Sequence, residues 1–182
     1  TYEEGAELLE FANRKGLLLG GAPDTFLGAG IQTCRKLIDD GLIGQVIGAE
    51  ARMVCHGHES WHPAPEFYYQ AGAGPMMDMG PYYMTVLVNL IGRVEGISGM
   101  VGKGFAHRVI TSEPKKGEVI PVEVPTHTAG LMKFENGAIA TILTTFDVYY
   151  DRQASLEIYG TKGTLRVPDP NCFGGSVWLL RP

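Results

Sequence analysis

Disulfides, membrane spans and a basic surface are what this 182-residue sequence has least of. Its three cysteines, Cys34, Cys55 and Cys172, are odd in number and far apart, which excludes a disulfide framework. No apolar run is long enough to span a bilayer, and no signal peptide is recognisable, so the cytoplasm is the expected compartment. Lys and Arg number 15 against 20 Asp and Glu, giving a net charge of −5; nucleic acid, which needs a basic surface, is not an expected partner. Gly20-Gly21 and Gly72-x-Gly74 lack a third glycine at dinucleotide spacing, and no P-loop, CxxC pair or nucleophile elbow occurs. Repeats and low-complexity tracts are absent too. What is present is ordinary core-forming material, 45% hydrophobic, enough for one domain or a domain with part of a neighbour.

The most informative stretch runs from Gly72 to Gly92. Between Tyr82 and Ile91 only Tyr, Thr and Asn interrupt the apolar residues, which suits a helix buried on most of its surface. Proline fits only a first helical turn, so Pro81 places the helix start between Met77 and Pro81, and Gly92 ends it. Asp78 and Tyr82 then lie four residues apart on one side of that turn. Backbone N–H groups there favour an anion or an alkoxide-like oxygen, and a carboxylate beside a phenol is a candidate acid–base pair. The plainer alternative makes Asp78 an N-cap and Tyr82 a core aromatic.

Upstream, residues 1–15 carry Tyr2, Ala6, Leu9 and Ala12 at helical spacing, with Gly16 as the stop. Leu17 to Leu19 reads as a short buried strand, and the pair suggests the last unit of a parallel α/β domain. A second helix to about Asp40 buries Ile31, Cys34, Leu37 and Ile38, with Asp24 or Thr25 as its cap. Val46 onward is extended, placing Val46, Gly48, Glu50, Arg52, Val54, His56 and His58 on one face. After Gly92 the chain is almost all strand. Asn136-Gly137 and Gly160 to Gly163 mark two hairpins, the first with a two-residue loop. The expected fold is α+β: a large, mainly antiparallel sheet covered on one face by helices.

Two further constellations carry chemistry. His56, His58 and His62 can form a zinc triad if the strand persists, and so a zinc hydrolase, but Cys55 points to the opposite face and no metal is expected. The stronger reading is a ligand pocket, in which His58, Trp61, His62 and Tyr68 stack on and hydrogen-bond a small polar ligand such as a sugar. A loop packed on its own aromatics is the alternative.

The run GPMMDMGPYYMTVLVNLIG resembles the Asp-x-Gly-x-His helix start of the glucose–fructose oxidoreductase, inositol dehydrogenase and MocA family (Gfo/Idh/MocA), two-domain NAD(P)-dependent dehydrogenases. APDTFLGAGIQTCRKLIDDGLIGQV is similar to that family's linker helix and first sheet strand, and SLEIYGTKGTLRVPDPNCFGGSVWLL to its late hairpin. TYEEGAELLEFANRKGLLL resembles the segment after the family's Glu-Lys-Pro. The resemblance implies that residues 1–24 belong to a dinucleotide-binding (Rossmann) domain and that 25–182 form a substrate-binding and oligomerisation domain, truncated at its C-terminus. Asp78 and Gly80 match the family's Asp and Gly. Tyr82 stands where most members have His, and Thr85 where many have an acid. By resemblance Tyr82, Asp78 and the Glu-Lys-Pro lysine handle the proton at the reacting carbon. Implied with them are NAD or NADP bound outside this chain and a sugar or cyclitol as substrate. A fragment inactive on its own follows, with a non-catalytic sugar sensor on the same fold as the rival. A homodimer is expected through an open sheet face, on the side of Thr128, Gly130, Met132 and Phe134 and of Ala140, Ile142, Thr144 and Phe146.

Overall fold

A computed structural model describes all 182 residues. Its four α-helices are α1 (Tyr2–Lys15), α2 (Ala29–Asp39), the short α3 (Pro75–Asp78) and α4 (Gly80–Ile91). The strands are β1 (Val46–Val54), β2 (Val94–Gly102), β3 (His107–Val109), β4 (Val119–Pro121), β5 (His127–Phe134), β6 (Ile139–Thr145), β7 (Leu156–Gly160), β8 (Gly163–Val167) and β9 (Trp178–Leu180). Seven of them form one sheet in the order β2-β5-β6-β1-β7-β8-β9, while β3 and β4 form a separate ribbon. Every pairing is antiparallel except β1 with β6. This is the expected α+β architecture.

The core lies between one sheet face and the helices α2 and α4. Ala49, Ala51 and Met53 of β1 meet Val86, Leu87, Leu90 and Ile91 of α4, with Ile31 and Cys34 of α2 alongside, all buried. Burial of the Met, Val, Leu and Ile side chains among them, each contributing on the order of 1.5–3 kcal/mol, holds the layers together, while the small Ala49 and Ala51 let α4 approach the sheet. Leu37 and Ile38 pack at the margin, completing the apolar stripe read for α2. Neither Asp24 nor Thr25 caps that helix through its side chain. Thr25 Oγ1 instead donates to the Pro170 carbonyl at 2.7 Å, tying the start of α2 to the late loop.

The central helix departs from expectation in one respect. It is two pieces, so Asp78 closes α3 while Tyr82 lies in the first turn of α4, and they do not share one helix. Pro81 explains the break: it has no N–H, and its ring would strike the carbonyl four residues back, so the earlier turn must end first. Met79 occupies the joint, and Asp78 is not a cap, since α4 has no side-chain cap bond. Gly92 ends α4 as expected, its N–H donating to Val88 O.

Four other expectations change. Leu17 to Leu19 form no strand and are exposed, because no neighbouring strand is there to pair with them; α1 likewise buries only Ala12. β1 stops at Val54, since its neighbour β6 ends at Thr145 and the last bond runs from Cys55 N–H to Thr145 O; His56 and His58 therefore lie in irregular chain, not on a strand face. The Asn136-Gly137 hairpin has a three-residue loop, Phe134 N–H bonding Ala138 O around Glu135 to Gly137. Finally, Met132, Phe134, Ala140, Ile142, Thr144 and Phe146 face the helices and are buried. The open face is the opposite one, with Met100, Leu131, Ile139, Leu143 and Trp178 outward. A strand side is covered wherever α3 and α4 reach it, which alternation alone does not reveal.

Candidate functional site

A cavity of about 560 Å³ opens where the C-terminal end of β1 meets the α3–α4 joint and two polar loops, residues 147–155 and 168–175. Its wall brings together His58, Trp61, Tyr68, Asp78 and Tyr82, five of the six residues singled out from sequence. Each arrives by a different route. Gly74, at φ 94°, turns the chain into α3 so that Asp78 points inward; a Cβ there would come within 2.8 Å of the Pro125 carbonyl. Tyr82 projects from the first turn of α4, while His58 and Trp61 come from the loop after β1 and Tyr68 from a 3₁₀ turn over Pro65–Tyr69.

His62 is the residue that does not reach the cavity. Its Nδ1 accepts the Ala64 N–H at 3.0 Å, and its ring packs edge-on against Trp61, Phe67 and Tyr68. His56 is elsewhere again, stacked on Tyr149 with ring centroids 3.5 Å apart. The three histidines do not converge, and no group of three His, Cys, Asp or Glu side chains is placed to hold a metal ion. The zinc reading fails because the strand it required stops at Val54.

The electrostatic centre of the cavity is His58 against Asp78. The imidazole is held by Tyr68 (centroids 4.0 Å apart), Phe146 (4.7 Å) and Trp61 (5.3 Å). Its Nε2 is buried without a protein hydrogen-bond partner and lies 3.6 Å from Asp78 Oδ2, beyond direct bonding. A buried polar nitrogen left so at a cavity wall is a place for a ligand hydroxyl. Burial, reinforced by the Asp78 charge, raises the Tyr68 phenol above its ordinary range. Burial likewise raises Tyr83 and the Cys55 thiol, which keeps both protonated and removes Cys55 as a nucleophile.

Behind His58 sits a buried ionic cluster. Arg108, almost fully enclosed, pairs with Asp147 (2.5 Å) and Glu59 (3.3 Å) and donates to the Phe146 carbonyl (2.7 Å). Tyr69 Oη donates to Glu59 at 2.7 Å, and Thr126 Oγ1 to Asp147 at 2.7 Å. The cluster joins β3, the end of β6 and the loop that carries His58.

Sequence reasoning does not single out Arg52, Asp151, Gln153, Asp169 and Asn171 as site residues, yet they also line the cavity. Asp151 and Asp169 each begin a polar turn, accepting the N–H two residues on. That turn chemistry is visible in DRQ and DPN, but which sheet edge the loops would share is not.

Together the sheet, its one-sided helical cover and the cavity at the strand end define an α+β domain with an open cavity at one end of its central strand. A family model described as the GFO/IDH/MocA C-terminal domain matches residues 31–166, and the chain belongs to this family. Among curated relatives, a D-xylose dehydrogenase of Paenarthrobacter nicotinovorans is 23% identical over 175 residues, 90% of this chain and 44% of that protein. An uncharacterized oxidoreductase of Schizosaccharomyces pombe is 26% identical over 137 residues, 68% of this chain and 36% of that one. Two solved structures share the fold. One is an NAD binding oxidoreductase from Klebsiella pneumoniae (TM-score 0.76, 20% identity, 98% of this chain and 47% of that one). The other is the WlbA dehydrogenase from Bordetella pertussis in complex with NADH and UDP-GlcNAcA (TM-score 0.71, 20% identity, 100% of this chain and 52% of that one). The chain spans about half or less of the length of these relatives.

A nicotinamide dinucleotide, which the family implies, does not fit the glycines of this chain. Gly20 and Gly21 follow no strand, and Gly74 is occupied by its approach to Pro125 ahead of a four-residue helix. Neither offers the strand–loop–helix cradle that pyrophosphate needs.

Proposed function

We propose that this chain is the substrate-binding domain of an NAD(P)-dependent oxidoreductase acting on a CH–OH group of a sugar or cyclitol. In this reading residues 1–24 belong to the cofactor domain, and NAD or NADP, held there, takes the hydride. The apolar side chains of α1 and Leu17 to Leu19 that stand exposed suit a surface made to be covered by such a domain. Residues 25–182 then supply the substrate site. Asp78 and Tyr82 sit at the reacting carbon, Tyr82 exchanging the hydroxyl proton and Asp78 orienting it. His58, Trp61 and Tyr68 bind and stack the ring, while His62 braces their loop. The open sheet face pairs with the same face of a second copy. The observation that carries the reading is the unpartnered His58 Nε2 facing Asp78 in a cavity that Tyr82 also lines.

The test uses the longer protein that carries this chain, with NAD and NADP and a panel of monosaccharides and cyclitols. Cofactor reduction by at least one of them is expected. Tyr82→Phe then lowers kcat by about 10²-fold or more with KM nearly unchanged. No reduction by any member of the panel defeats the enzymatic reading and leaves a sugar-binding protein. Wild-type kcat in Tyr82→Phe returns that residue to the helix core.

A further inference from the structure

The charges around the cavity are lopsided. Asp78, Asp151 and Asp169 line it against a single guanidinium, Arg52. That cation is already engaged, by Asp151 Oδ2 at 2.9 Å and by Glu50 at 3.4 Å. Asp169 has one oxygen on the Asn171 N–H at 2.9 Å and its other oxygen without a protein hydrogen bond. Asp78 makes no hydrogen bond through its carboxylate, His58 standing 3.6 Å away. The cavity therefore presents unfilled acceptors of negative charge and no unpaired Lys or Arg.

One feature that ordinarily favours an anion, a helix start, is muted here. In the first turn of α4, Pro81 has no N–H, and the Tyr82 N–H is bonded to Met79 O at 3.1 Å. Polyhydroxylated rings meet the remaining features well: hydroxyl protons suit free carboxylate oxygens, and the apolar face of a sugar suits the rings of Trp61 and Tyr68. A phosphate or carboxylate on the ring would bring oxygens without hydrogens against charges of its own sign.

We propose that the cavity selects uncharged or amino-substituted sugars and rejects those bearing a phosphate or carboxylate, Asp78 and Asp169 acting as the discriminating groups. The proposal rests on the reading of this cavity as the sugar site. It goes further in assigning a charge class to the substrate.

The experiment is saturation-transfer NMR on this chain with methyl β-glucoside, glucosamine, glucose 6-phosphate and glucuronate, at low and high salt. The glucoside and glucosamine are expected to bind. Both anions should bind at least about tenfold more weakly at low salt, with the gap shrinking as salt screens the carboxylates. Asp169→Asn keeps the turn-closing carbonyl oxygen, and should narrow the ratio of neutral to anionic affinity several-fold. Either anion binding as tightly as the glucoside at low salt would overturn the selectivity while leaving the sugar site intact. An Asp169→Asn ratio equal to that of the wild type would also count against it. Binding of none of the four sugars would overturn the site itself, and the selectivity with it.

Discussion

Arg108 shows at the scale of one residue how much of the site depends on groups that never touch it. Its guanidinium is enclosed between Glu59 and Asp147, and removal of the cation would leave two buried carboxylates without it. Breaking a buried pair in this way costs about 3–5 kcal/mol, against about 0–1 kcal/mol for an exposed one such as Arg14–Glu10. Arg108→Ala should therefore lower the urea midpoint of unfolding sharply, whereas Arg14→Ala should barely move it; equal effects would count against the cluster as a strut. None of this was legible in the sequence, where Arg108 is one basic residue in a predicted strand and Glu59 begins a loop. Asp78, Tyr82, His58, Trp61 and Tyr68, which the fold gathers at one cavity, stand out in the sequence because aromatic and acid–base side chains beside a Gly–Pro-rich helix start are unusual company. His62 was misplaced for a local reason: its ring nitrogen is satisfied by the backbone two residues on, a contact that spacing cannot foresee.

Elements were read more accurately than their edges. The amphipathic stripe of α2, the Gly92 stop of α4 and all eight strands after it follow from periodicity and turn chemistry, which are properties of short windows. Pro81 foreshadows the division of α3 from α4, yet four-residue spacing alone places Asp78 and Tyr82 on one helix, because spacing carries no information about the missing N–H. The β7–β8 hairpin illustrates what such windows omit. Its Gly160 is flush against the turn after α2, where an added Cβ would fall 2.2 Å from the Ile43 carbonyl. That turn is stitched to the hairpin by Thr161 N–H to Gln45 O and Lys162 N–H to Ile43 O. Gly160→Ala should destabilise the protein by about 2 kcal/mol or more, since backbone must move to admit one methyl group. Gly5, in mid-helix with nothing near, is the control: Gly5→Ala should stabilise by about 0.5–1 kcal/mol. Thermal unfolding of both variants gives the comparison, and a neutral Gly160→Ala would mean that the turn and hairpin are not in register.

For the whole molecule the governing asymmetry is a sheet clothed on one side only. The bare side carries Met100, Leu131 and Ile139 outward across β2, β5 and β6, with Trp178 apart from them on β9 beyond Glu50, Glu157 and Arg166; grouped exposed apolar side chains of this kind mark interaction surfaces. If two copies pair there, as proposed, Leu131→Lys combined with Ile139→Lys should convert a dimer to a monomer in sedimentation while the far-ultraviolet circular dichroism stays that of the folded chain, and the unfolding temperature should lose its dependence on protein concentration. A wild-type chain that is monomeric at tens of micromolar, the order of concentration at which specific interfaces are expected to hold, would defeat the pairing. The sheet order has another outcome, for how the chain reaches this shape. The strand in its middle, β1, has both of its neighbours, β6 and β7, about ninety or more positions further along the chain. Nothing between can close either edge of it. During synthesis Ala49, Ala51 and Met53 must wait, unpaired, until the distant strands emerge, and refolding must close a long loop before the first central ladder bond forms. Folding should therefore fall in the millisecond-to-second range of non-local topologies, with β1 the segment most exposed to capture by chaperones or by other nascent chains meanwhile.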